Sequence, residues 1–200
     1  PPRYTPSNSS AASDVYKRQT PIGTVQTDKK LIENLSLSID ESAHKNEHSI
    51  EVQLPLLQAI YKDFKIVPVC IGQIDLDQIK ELAKKLVNKN SFYIASSDFI
   101  HFGPMYGYVP FNAESKKQLE WVRQQDMKMI DLITKLKPKK FYNKVMENNY
   151  TVCGAIPITV LLYIMKSLGA KQGHPIDYKS SYAVQPSSSF VSYAGIVFSL

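Results

Sequence analysis

An α/β fold, built on a mixed and largely parallel sheet flanked by helices, is what this sequence predicts, and three observations predict it. Two short apolar runs, FKIVPVCIG at 64–72 and SFYIAS at 91–96, are rich in β-branched and aromatic residues and read as strands buried on both faces. Between them LDQIKELAKKLVNK aligns Ile79, Leu82, Leu86 and Val87 on one helical stripe behind a capping Asp75. Strand, helix, strand in that order is a βαβ unit with parallel strands. The chain has 200 residues, 44% of them hydrophobic and 21% charged, which suits one good-sized soluble domain.

The remaining elements follow in order. Residues 1–19, PPRYTPSNSSAASDVYKRQ, show no period of two or of 3.6 and carry no capping logic. SSAASDVYKRQ resembles translated sequencing-adaptor read-through. The segment is therefore expected to be a non-native or disordered leader, with a single domain over 20–200. A turn at Thr20, Pro21 and Gly23 precedes a short helix capped by Asp28 and running to about Leu35. Ile50, Leu54, Leu57 and Ile60 are near helical spacing, with Pro55 marking a first turn or a kink. A long helix is predicted over 113–136, and a second from Pro138 to about Glu147. A third, AIPITVLLYIMKSLG, is apolar all round and so central. YKSSYAV and FVSYAGIVFSL read as two final strands.

Charge and cysteine usage exclude several classes. The net charge is +6, but nearly all of it is lysine. The arginines are Arg3, Arg18 and Arg123, and guanidinium is the group that reads phosphate bidentately. The run Lys135, Lys137, Lys139, Lys140 reads as a solvated helix end. No nucleic-acid partner is expected. No apolar stretch reaches the length a membrane-spanning helix needs, so no membrane partner is expected either. Cys70 and Cys153 do not make a disulfide framework, and a reducing cytoplasm is the simplest compartment.

The chemistry-bearing residues concentrate where the second apolar run ends. Ser96, Ser97, Asp98 and His101 follow it directly. Ligands in open α/β sheets bind at the carboxyl ends of strands. An Asp can hold an imidazole in one tautomer, leaving it to act as base or ligand; alternatively Asp98 caps a turn and His101 packs beside Phe99 and Phe102. His44 and His48 are spaced for one helix face, half of a metal site, yet no glutamate follows His44 as the helical zinc-protease pattern requires. Glu47 and His48 read better as pocket-wall groups that bind substrate. Cys153 lies at a helix mouth, which favours thiolate, and Gly154 lets the backbone approach closely. Cys70, in mid-strand, reads as a buried inert thiol. His174 reads as a surface-loop residue.

Together, NEHSIEVQLPLLQ, SSDFIHFG, TVCGAIPI and SSSFVSYAG, with the opening TPIGTVQTDKKL, resemble the Memo family, also called AmmeMemoRadiSam system protein B. The resemblance covers about residues 20–200. It implies a three-layer fold shared with LigB-type extradiol dioxygenases, of which this chain would be the C-terminal two-thirds. It implies an iron or copper pocket with Cys153 and His101 as metal ligands, His101 and Asp98 as catalytic residues, and redox chemistry of an oxidoreductase kind. The family's two other metal histidines fall in Pro-His-Ala-Gly-like and Pro-Ser-His-like segments that this sequence lacks. Radical-SAM and AMMECR1-like partners are implied by the system name, and a small molecule or peptide would be the ligand. A non-enzymatic adaptor that keeps the pocket is the alternative.

Overall fold

The computed structural model describes residues 10–12, 17–45 and 47–200. These residues fall into two compact units, one ending at Asp75 and one beginning at Leu76. Helices pack around small sheets in an α/β arrangement, and among the described residues no helix is long and apolar enough to cross a membrane.

The first unit is made of short pieces. In chain order they are β1 (Ser10–Ala12), β2 (Lys17–Thr20), β3 (Gly23–Thr27), α1 (Lys29–Leu35), β4 (Ser38–Ile39), α2 (Glu41–Lys45), α3 (Leu54–Ile60), β5 (Lys65–Ile66) and β6 (Val69–Ile71). Asp28 caps α1 as expected, accepting from the Leu31 N–H at 3.1 Å. Pro55 lies in the first turn of α3, where its missing N–H costs nothing. The run 64–72 does not form one strand. Pro68 cannot donate to a ladder, and the pieces on either side join different sheets: β5 pairs in parallel with β3, β6 antiparallel with β1.

The expectation that residues 1–19 lack regular structure fails where they are described. Ser10–Ala12 lies between β4 and β6, with Ala12 fully buried, and Lys17–Thr20 pairs with β3. A three-residue Ser-Ala-Ala strand carries no hydrophobic period, which is why periodicity missed it. Residues 1–9 and 13–16 lie outside the described residues.

The second unit holds the long elements: α4 (Leu76–Leu86), β7 (His101–Phe102), α5 (Ser115–Thr134), α6 (Pro138–Glu147), α7 (Ala155–Leu168), β8 (Gly173–Ser180) and β9 (Phe190–Phe198). Helix α7 is the central one, burying Ile156, Ile158, Val160, Leu162, Ile164 and Met165. The sheet order is β7-β9-β8, all antiparallel. Among the described residues two ladders are parallel and four antiparallel, so these sheets are mixed but not largely parallel.

Residues 91–99 form no strand, and the expected βαβ unit is absent among the described residues. Tyr93 folds back instead, its hydroxyl donating to Leu86 O at 2.7 Å and accepting from the Asn88 N–H at 2.6 Å. Phe92 and Ile94 remain exposed. β8 begins earlier than predicted, because nine residues of β9 give it a long antiparallel partner. His174 is therefore an exposed strand residue and not a loop residue, while Ser181–Ala183 is a 3-10 turn.

Candidate functional site

In the second unit the stretch from Phe99 to Phe102 runs between two neighbours. On one side Phe99 N–H donates to Ser192 O at 2.9 Å, Ser192 N–H donates to Ile100 O at 3.3 Å, and β7 continues the ladder on β9. On the other side Ile100 bridges Val152. Apolar residues lock this stretch down: Phe99, Ile100 and Phe102 are buried, and Phe102 stacks on Phe190 at 5.1 Å. From this stretch Asp98 meets the neighbouring segment at Cys153, through its N–H, and His101 meets it at Thr151.

His101 is fixed by three bonds to Thr151. Its N–H donates to Thr151 Oγ1 at 3.0 Å, and that hydroxyl donates back to His101 O at 2.7 Å. The ring Nδ1 lies 2.8 Å from Thr151 O. A carbonyl only accepts, so Nδ1 carries the proton. Nε2 then faces Asp98 Oδ2 at 3.4 Å. The bond to Asp98 raises the imidazole pKa above its ordinary 6.5, burial opposes the rise, and the Thr151 carbonyl adds to it. Tyr106 closes edge-on against the ring at 5.0 Å.

Cys153 is exposed, just before α7. Its Sγ accepts from the Asp98 N–H at 3.3 Å and lies 3.6 Å from Ser97 Oγ. Ser97 accepts from the Gly154 N–H at 2.9 Å and donates to Asp98 O at 2.7 Å. Only glycine fits at 154: a Cβ would meet Ser97 Cβ, would stand 2.6 Å from Ser97 Oγ and 3.0 Å from Ser96 O. Asp98, His101 and Cys153 are thus brought together. Ser97 was part of the expected cluster; Thr151 and Tyr106 are members that sequence reasoning missed. The two-residue alternation in TVCG, with Val152 buried between Thr151 and Cys153, was the signal for Thr151.

Glu47 and His48 belong to the first unit. Glu47 is folded on its own turn, Oε1 accepting from the N–H groups of His48 at 2.8 Å and Ser49 at 2.7 Å. Burial pushes its pKa up, but these bonds outweigh it and hold the carboxyl below the usual range. Helix α2 closes at Lys45, so His44 and His48 share no helix face. His44 is buried, its Nδ1 3.0 Å from Arg18 Nη2 and 3.3 Å from Cys70 Sγ. Arg18 also pairs with Glu51, and the group borders a cavity of about 510 Å³. Burial pushes the Cys70 thiol up to about 12, with the Glu47 charge adding to it.

A resident iron or copper ion needs three or more converging donors. Among the described residues no group of three His, Cys, Asp or Glu side chains comes close enough to hold one. Both ring nitrogens of His101 already face protein oxygens. Cys153 and His101 therefore do not make a metal site by themselves.

The family model described as Memo-like protein matches residues 3–197. The chain belongs to the Memo family. It is similar to a MEMO1 family protein of Thermococcus onnurineus, 32% identical over 90% of this chain and 67% of the relative. A MEMO1 family protein of Archaeoglobus fulgidus is 36% identical over 90% of this chain and 66% of its own length. One from Methanococcoides burtonii is 34% identical over 98% and 73%. The chain spans about two thirds of the length of the first two.

Proposed function

We propose that this Memo-family chain works through the Asp98–His101–Cys153 wall as a binding and proton-transfer site for a small-molecule or peptide ligand. His101 is the acid–base group, Asp98 holds and charges its imidazole, and Cys153 offers a soft sulfur donor. One observation carries the reading: Nδ1 is spent on the Thr151 carbonyl while Nε2 faces a half-exposed carboxylate at 3.4 Å, beside an exposed thiol. Asp98 stabilises the imidazolium, so it keeps its Nε2 proton above the usual pH; on giving that proton to a basic atom of the ligand the ring becomes neutral, with Nδ1 still protonated, until a proton returns to Nε2. Iron or copper chemistry of a dioxygenase kind would engage Cys153 and His101 and draw on donors beyond this set.

Equilibrium dialysis of the chain against iron(II) and, separately, copper(I) tests the metal side of the proposal. Wild type is expected to retain well under one ion per chain, and Cys153→Ser and His101→Gln to retain less. One tightly held ion in wild type and in the double variant alike would put the metal elsewhere. The proton-transfer side is tested by the His101 titration: a midpoint at or below that of free imidazole in the folded protein would remove the Asp98 pair from the mechanism.

A further inference from the structure

Asp126 on α5 is a fully buried carboxyl outside the Asp98–His101–Cys153 wall. Its Oδ2 accepts from Ser192 Oγ at 2.5 Å and from the Tyr178 hydroxyl at 2.7 Å, while Oδ1 is buried without a partner. Buried carboxyls are kept where their bonds do something a packed apolar residue cannot. Ser192 is also the residue whose main chain holds both Phe99 and Ile100, at 2.9 and 3.3 Å. Asp98 immediately precedes that pair and His101 immediately follows it.

We propose that Asp126 is a positioning residue for the Asp98–His101 pair, acting by fixing Ser192 and through it the seat of Phe99 and Ile100 on β9. The inference rests on the reading of Asp98 and His101 as the working groups. Three elements converge on the carboxyl: α5 supplies it, β9 brings Ser192, and β8 brings Tyr178. Without the acceptor, the Ser192 hydroxyl has only Ile100 O, at 3.3 Å, and the half-buried Tyr178 hydroxyl loses its bond to the carboxyl. The Ser192 side chain then no longer ties β9 to α5 at the point where the site begins, and the main-chain bonds to Phe99 and Ile100 hold it alone. Burial raises the Asp126 pKa to about 6 against the opposing bonds from Ser192, Tyr178 and the Ile100 backbone. Tyr178 and Tyr150 are raised by burial first and by the Asp126 charge second, and Arg123 opposes the shift at Tyr178.

The test reads the His101 Nδ1–H proton resonance, bonded to Thr151 O, at one fixed pH and assigned by its loss in His101→Gln. Asp126→Leu is expected to broaden or abolish it. Asp126→Asn, which keeps an acceptor oxygen for both hydroxyls, is expected to restore it, and Ser192→Ala to lose it as Asp126→Leu does. A merely structural role would lower the melting temperature of Asp126→Leu and leave the signal of the folded protein unshifted; that result overturns the proposal. Should Asp126→Leu not fold, Ser192→Ala decides by the same criterion, a retained signal again overturning it. A wild-type protein without the resonance would defeat the site reading itself, before any variant is compared.

Discussion

The two neighbourhoods that hold a cysteine and a histidine in this molecule use the same residue types in opposite surroundings. In the first unit Cys70 lies 3.3 Å from His44 Nδ1, but it is half-buried and faces the charges of Glu47 and Glu51. Desolvation and negative neighbours both disfavour thiolate. The imidazole beside it is occupied by Arg18. In the second unit Cys153 is exposed and meets a backbone donor, the Asp98 N–H at 3.3 Å. Its neighbouring imidazole is anchored by a carbonyl and charged by a carboxylate. Proximity of Cys to His does not make a reactive pair; the groups around each member decide.

The largest contrast this predicts is in thiol labelling. At about pH 8, a thiol with a pKa of about 12 is thiolate in only about one molecule in ten thousand. Brief iodoacetamide treatment should therefore modify Cys153 and spare Cys70 until denaturant is added, as read by peptide mass spectrometry. Equal labelling of both in the folded protein would erase the comparison. Next in size is Gly154→Ala. Its Cβ would collide with Ser97, an overpacking that costs about 1–3 kcal/mol. The melting temperature should fall, and the labelling rate of Cys153 should change because Ser97 and the Asp98 N–H are displaced with it. An unchanged rate would show that the Ser97 contact does not set the thiol's surroundings.

The smallest effect is on pH dependence. His101 has its pKa raised, chiefly by the Asp98 bond. Its pairing therefore contributes stability that is complete below the ordinary 6.5 and is lost as pH rises through the folded value. Asp98 is 41% exposed, so solvent screening keeps the contribution to about 1 kcal/mol at most. Asp98→Asn should lower the melting temperature below that pH and leave it nearly unchanged well above. An equal loss at every pH would mean the carboxylate stabilises the fold by something other than the proton on His101.

Much of the site was legible because its parts are consecutive in the chain. Asp98 and His101 stand within one turn, and Cys153 with Gly154 stands at the start of a helix whose apolar pattern is unmistakable. The bond network was not legible. Thr151 gives no chemical signal alone, and its role needs residues fifty positions apart to become neighbours. Asp126 shares the helical stripe of Val122, Met129 and Ile133, but only packing against β8 and β9 gives its carboxyl partners.

By itself the sequence determined the α/β class, the helices α1, α3, α4, α5, α6 and α7, the cap at Asp28, and the family, since periodicity, capping residues and contiguous motifs are local properties of the chain. Only the tertiary structure decided which runs became strands and with whom they paired. Ser91–Ala95 has strand composition but finds no ladder, Pro68 splits one apolar run between two sheets, and Ser10–Ala12 enters a sheet without any pattern of its own. The physical reason is that a helix satisfies its backbone within itself, whereas a strand needs a partner that sequence spacing does not name.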